Sequence, residues 1–174
     1  MQEIITEVTP DFIIETGTFT GGATLYYATI LEKVNKEGKV ITLDPYPKIK
    51  QASNFKIWKE KVEFIKESSV SPKVIAQLTK RTKNHKVLVT LDALHTKEYV
   101  LKELELYAPL VSLNSYLIVQ DTHLNGHPIK PEHGEGPWEA VEVFLKNNKN
   151  YEIDHSKERH LISQYPSGFL KRIN

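Results

Sequence analysis

The chain has 174 residues, of which 40% are hydrophobic and 26% charged, and a net charge of +1. That length supports one sizeable core, expected as a single domain over residues 1–174, and the near-zero charge offers no global field for nucleic acid or an anionic membrane. The absence of cysteine excludes disulfides, thiolate metal sites and cysteine nucleophiles. The N-terminal MQEIITEVTP lacks the basic and apolar regions of a signal peptide, and no apolar run approaches the ~18 residues of a membrane span, so a cytoplasmic protein is expected.

Residues 1–10 read as a short lead-in, with room for one helical turn. Phe12 to Glu15 is a short apolar run closed by an acid, the pattern of a first strand. A turn with Gly17, Gly21 and Gly22 follows. A helix is then expected from about Gly22 to Asn35, with Ala23, Tyr27, Ile30, Leu31 and Val34 on one face. Strand, glycine turn and helix form the entry unit of a doubly wound α/β fold. Glycine lets the backbone bend sharply close to a ligand, and the helix start offers free N–H groups. The spacing E-T-G-T-x-x-G-G-x-T is not the G-x-G-x-x-G of dinucleotide-binding turns. It resembles motif I of class I S-adenosylmethionine (SAM) dependent methyltransferases. A turn that only packs a helix on a strand is the alternative.

Lys39 to Leu43 reads as strand two and ends at Asp44. In this architecture an acid there accepts hydrogen bonds from ribose hydroxyls; Asp before Pro45 is also a turn signal. Residues 44–60 carry Lys48, Lys50, Lys56 and Lys59, a face for an acidic substrate or a solvated surface. Val62 to Ile65 is strand three. Ser68 and Ser69 beyond it are candidates for adenine contacts or caps. Ser71-Pro72 starts a helix. Val87 to Leu91 is strand four and ends at Asp92; a helix follows from Lys97 to Ala108, with Val100, Leu101, Leu104, Tyr107 and Ala108 as its buried stripe. Tyr116 to Val119 is strand five and ends at Gln120-Asp121. Residues 122–137 form a long stretch without expected structure, with His123, His127 and His133, and loops of this length are commonly functional. An amphipathic helix from Trp138 precedes two closing strands, Tyr151 to Asp154 and Ser167 to Ile173.

LKELELYAPLVSLNSYLIVQDTHLNGHPIKPEHGEGPWEAVEVFL and the closing PSGFLKRI resemble the rhamnosyl O-methyltransferase and cephalosporin hydroxylase family. The resemblance implies a Rossmann-like class I methyltransferase fold, a sheet of order 3-2-1-4-5-7-6 with strand seven antiparallel. It implies SAM as cofactor, held by Glu15, Gly17, Thr18, Gly21, Thr24, Asp44, Ser68, Ser69 and Asp92. It also implies a divalent metal such as Mg²⁺. Members carry more helix ahead of strand one, so a minimal or truncated member is expected. The residues agree with a metal: Asp92 and Asp121 end strands expected to be neighbours, at the carboxyl edge where this fold binds ligands. With the amide of Gln120 they would give three hard oxygen ligands. The family has Glu at Gln120, and strand-end capping is the alternative for the acids. His95, three residues after Asp92, stands where related sugar methyltransferases place a general base, with a surface role as the alternative. Leu94 departs from an Asp common in the family.

These readings give SAM-dependent, metal-assisted O-methylation of a hydroxyl on a sugar or glycosylated natural product, by a homo-oligomer. A SAM-binding module without turnover, or an oxidoreductase like the hydroxylase of the family name, are the rivals.

Overall fold

The computed structural model describes residues 1–159 and 163–174. Seven strands form one sheet: β1 (Phe12–Thr16), β2 (Lys39–Leu43), β3 (Val62–Ile65), β4 (Val87–Leu91), β5 (Tyr116–Val119), β6 (Tyr151–Ile153) and β7 (Phe169–Arg172). Their order is β3-β2-β1-β4-β5-β7-β6, as expected. β7 runs antiparallel to both neighbours and the other pairs are parallel. The four central strands β1, β2, β4 and β5 are apolar almost throughout because helices cover both of their faces. β3, at the edge, is only partly buried.

Side-chain alternation assigns each strand residue to a layer. Phe12, Ile14, Val89, Leu91, Leu117 and Val119 pack in one core with α4 (Pro72–Thr82), α5 (Lys97–Tyr107) and α6 (Pro137–Asn147). Ile13, Val40, Leu88 and Ile118 pack in the other with α1 (Gln2–Val8) and α2 (Gly22–Val34). α3 (Lys56–Lys61) adds Ile57 at its margin.

Two local expectations change. Residues 2–8 are not a loose lead-in but a helix of seven residues, α1, which buries Ile4, Ile5 and Val8 against α2 and the sheet. The spacing 4, 5, 8 is a helical stripe; its shortness hid it. On α2, Thr24 is buried and Ala23 exposed, the reverse of the hydrophobic reading. The cause is Glu15, whose carboxylate accepts a hydrogen bond from the Thr24 hydroxyl and so draws that face inward. The lysines 48, 50, 56 and 59 are exposed, which matches the solvated-surface reading.

Because Ile5 is fully buried, Ile5→Ala should cost about 2–5 kcal/mol, the usual range for deleting a buried aliphatic chain. Urea denaturation measures it. A loss under about 0.5 kcal/mol, the scale of surface substitutions, would mean α1 does not belong to the core.

Candidate active site

The site forms where the chain leaves β1, β2, β4 and β5 at one edge of the sheet. Gly17 follows β1 with φ +82°, and a Cβ there would lie 1.9 Å from the Asp92 carbonyl oxygen. No other residue fits. Its N–H donates to Leu43 O at 2.8 Å, which stitches the turn to β2. Gly21, with φ +80°, begins α2 and lies against the Trp58 ring and Ala52, so that α2 seats on α3.

Beside Gly17 lies a cleft of about 170 Å³, lined also by Leu43, Asp44, Pro45, Tyr46, Ser69, Ala93, Leu94 and Tyr99. Of the residues expected to hold a cofactor, Gly17, Asp44 and Ser69 therefore line one cavity. Asp44 also shapes the loops above it: Oδ2 accepts from Phe19 N at 2.8 Å and Oδ1 from Tyr46 N at 2.7 Å. The capping and ribose readings of Asp44 are thus compatible, since each carboxylate oxygen has a second lone pair. Ser68 and Ser69 both hydrogen-bond the Tyr99 hydroxyl, at 3.2 and 2.9 Å. A hollow of about 500 Å³ between the ends of α5 and α6 contains none of the expected residues.

Thr18, Gly21 and Thr24 are absent from the cleft lining and are used by the protein itself. The Thr18 hydroxyl bonds that of Thr42 at 2.6 Å, and Thr42 donates to Glu15 Oε2 at 2.6 Å, the oxygen that Thr24 also reaches. Glu15 is fully buried, and its Oε1 has no partner among the described residues. Burial pushes its carboxyl up to about 7 despite the two threonines.

Asp92, His95 and Asp121 converge at the tips of β4 and β5. His95 Nε2 lies 3.3 Å from Asp92 Oδ1 and 3.4 Å from Asp121 Oδ2. One ligand atom from each of the three falls within 4.8 Å of the others. Asp121 turns out of β5 in the left-handed region, φ 56°, a conformation that Asp adopts more readily than most side chains. Burial raises the Asp92 carboxyl above its usual range, although the His95 hydrogen bond opposes it. Burial would lower His95, but Asp92 and Asp121 outweigh it and the imidazole is raised. Since Nε2 faces two carboxylates, it is assigned the proton; Nδ1 then carries the free lone pair.

Gln120 is not part of this convergence. Its Nε2 donates to Thr90 Oγ1 at 3.0 Å and to Tyr27 OH at 3.3 Å, and its Oε1 accepts from Tyr165 OH at 2.8 Å. A neutral amide both donates and accepts, so it meets these three hydroxyls without burying a charge. A His95 nitrogen lies beside Asp92 and Asp121, while the Gln120 amide is engaged by Thr90, Tyr27 and Tyr165.

Residues 122–137 are more ordered than their composition suggests. Glu139, the third residue of α6, binds Asn125 Nδ2 at 2.8 Å, His127 Nε2 at 3.1 Å and Gly136 N at 2.7 Å. His127 stacks on Trp138 with 4.3 Å between centroids. His133 donates to His95 O at 3.0 Å and Lys97 pairs with Glu135 at 2.7 Å, so the loop closes over the segment that carries His95. The G-x-GP-x-EAV spacing held the signal, because its acid, three residues into the helix, accepts from the Gly136 N–H at the helix start. Two further groups escaped the sequence reading. Tyr99 joins Ser68 and Ser69, and Glu103 is fully buried on α5.

An open α/β sheet of this order, a glycine turn on β1 and acids at the tips of β4 and β5 define the class I methyltransferase architecture. Comparison with known proteins narrows this. The family model described as rhamnosyl O-methyltransferase/CmcI matches residues 1–173. A rhamnosyl O-methyltransferase of Mycobacterium tuberculosis is 37% identical over 177 residues, covering 98% of this chain and 71% of that one. A solved structure of CmcI with Mg and SAM gives a TM-score of 0.69 at 18% identity and covers 99% of this chain and 69% of that one. An O-methyltransferase from Bacillus cereus with S-adenosylhomocysteine gives 0.68 at 16% identity, covering 99% and 78%. At these identities the likeness is one of fold. The chain belongs to the rhamnosyl O-methyltransferase/CmcI family and is a SAM-dependent O-methyltransferase. No helix among the described residues is long and apolar enough to cross a membrane.

The Glu139 contacts give a pH prediction. Burial alone would raise this carboxyl, but the Gly136 N–H, Asn125 and His127 hold it down to about 2. A depressed pKa contributes stability that is full above the unfolded value, here 4.5, and is lost as pH falls toward 2. The protection of residues 123–136 against hydrogen exchange, taken relative to the intrinsic rate at each pH, should therefore fall across that window. Glu139→Ala should show the accelerated exchange already at pH 7. Unchanged protection in the variant would mean that the acid does not anchor the loop.

Proposed function

We propose that the protein methylates a hydroxyl of a sugar or glycosylated natural product, with a divalent cation at the strand tips. The observation that carries this reading is the convergence of Asp92, His95 and Asp121 at the tips of β4 and β5, the edge that also carries the cleft beside Gly17. The names of the family and its mycobacterial relatives support a glycosyl acceptor.

In this reading the cleft takes the nucleoside of SAM. Gly17 supplies the close backbone, Asp44 accepts from the ribose diol, and Ser68 and Ser69 meet the purine. Thr18, Gly21 and Thr24 shape the turn from behind. Glu15, buried outside the cleft lining, has one oxygen without a partner among the described residues, and in this reading it meets a donor of the cofactor's methionine end. Asp92 and Asp121 would hold the cation, two clustered carboxylates being hard oxygen donors that fit a divalent ion. Bound there, a cation supplies positive charge that lowers the pKa of a neighbouring hydroxyl. Gln120 keeps the tips of β4 and β5 in register.

The transfer breaks the methyl–sulfur bond as the acceptor oxygen forms its bond to the same carbon. The hydroxyl proton goes to His95, and S-adenosylhomocysteine remains. Asp92 fixes the imidazole by accepting from Nε2, which presents Nδ1 as the base. The protein's contribution is position and proton removal, since the sulfonium is already activated. A homo-oligomer working in the cytoplasm belongs to the same reading and rests on the sequence.

Mass spectrometry on a panel of rhamnosides and other glycosides, with SAM and Mg²⁺, tests this. A methylated product is expected, lost in excess EDTA. Asp121→Asn should abolish turnover while leaving S-adenosylhomocysteine affinity nearly intact. His95→Ala should slow the reaction by roughly 10²–10⁴-fold, the usual worth of a positioned base. Full activity in EDTA would refute the metal, and wild-type activity of the His95 variant would refute the base. Tight nucleoside binding without any product would favour a binding module.

A further inference from the structure

Glu103 is the buried group that the reaction scheme leaves unused. It lies on α5 with no exposed surface, and neither carboxylate oxygen has a hydrogen-bond partner among the described residues that meets ordinary geometry. Packing gives no reason for an acid there, because Val100, Leu104 and Tyr107 already supply the apolar stripe of this helix. A buried carboxyl without partners is costly, and an apolar residue of the same size would avoid the cost.

Its neighbours indicate the reason for keeping it. The hydroxyls of Ser69 and Thr16 stand beside the carboxyl. Ser69 lines the nucleoside cleft; its hydroxyl meets Tyr99 at 2.9 Å and its carbonyl accepts from Tyr107 OH at 2.8 Å. Thr16 is the residue before Gly17. Alternation along β1 places its side chain with Phe12 and Ile14, on the α5 face. Its Oγ1 accepts from the Asp92 N–H at 3.2 Å. A hydroxyl that accepts from an amide still has its own proton to donate, and the carboxyl beside it is the acceptor at hand. Tyr99 and Tyr107, four residues to either side of Glu103 on α5, both hydrogen-bond Ser69, which places the carboxyl beneath that segment. Burial pushes the carboxyl up to about 7.

We propose that Glu103 is a positioning residue of the cofactor cleft: from beneath, it holds the Thr16 and Ser69 hydroxyls and so fixes both backbone segments between which the nucleoside binds. The inference rests on the SAM reading of that cleft. It extends that reading to α5, which touches the cleft otherwise only through Tyr99.

Two measurements on the full chain test it. The first is hydrogen exchange at the amides of Gly17, Ser69 and Asp92, which needs no ligand. The second is calorimetric titration with S-adenosylhomocysteine. In Glu103→Leu, exchange at these amides should quicken and affinity should fall roughly tenfold, the scale of one or two lost hydrogen bonds. Glu103→Gln, which keeps both hydrogen-bonding functions, should restore both to within about twofold of wild type. If Glu103→Leu does not fold, Thr16→Val and Ser69→Ala, which leave the carboxyl in place, should each reproduce part of the change. Wild-type exchange and affinity in Glu103→Leu, or in both hydroxyl variants, would overturn the proposal. A wild-type protein that ignores S-adenosylhomocysteine refutes the cofactor reading instead, and the exchange comparison then decides the role of Glu103 alone.

Discussion

The structure depends on how closely two backbones approach at the edge of the sheet. Where the chain leaves β1, Gly17 lies so near the Asp92 carbonyl that any side chain would overlap it. This contact sets the distance between the tips of β1 and β4, and the cleft opens beside it. It also sets the backbone at Asp92, whose N–H is held by Thr16 through both its carbonyl and its hydroxyl. The cleft beside Gly17 and the acidic cluster are therefore not independent. One turn without a side chain holds the first next to the second, and that adjacency is what methyl transfer between two bound molecules requires.

Around this contact the protein buries acids at a cost. Glu15 on the α2 face and Glu103 on the α5 face flank the same turn from opposite sides of the sheet, and burial drives both toward neutrality. The partners of Glu15 are the hydroxyls of Thr24 and Thr42, so the end of β1 rests on groups that donate at fixed points. Gln120 follows the same logic, with Thr90, Tyr27 and Tyr165 around one amide. Charge concentrates at Asp92, His95 and Asp121, which remain partly open to solvent.

Much of this was legible in the residues. Apolar runs closed by acids gave the parallel strands, the glycine turn gave the entry unit, and two strands after the last helix gave the closing hairpin. Asp44, Ser69, Asp92 and Asp121 could be placed because topology alone brings strand ends to one edge. What stayed hidden has a common cause. The direction of Gln120, the inward turn of Thr24 and the burial of Glu103 are decided by hydrogen bonds between residues far apart in sequence, and periodicity carries no trace of them. Glu103 falls on the buried stripe between Val100 and Tyr107, but its acidic side chain gives no hydrophobic signal there. The loop after β5 looked structureless because its order comes from Glu139, fourteen residues beyond Asn125.

The most direct test is a crystal structure grown with S-adenosylhomocysteine and Mn²⁺, whose anomalous scattering marks the ion. The account predicts adenosine density between Gly17, Asp44 and Ser69, and an anomalous peak bound by Asp92 and Asp121. A nucleoside bound elsewhere, or Asp92 and Asp121 still bridged only by His95 with no peak between them, would contradict it.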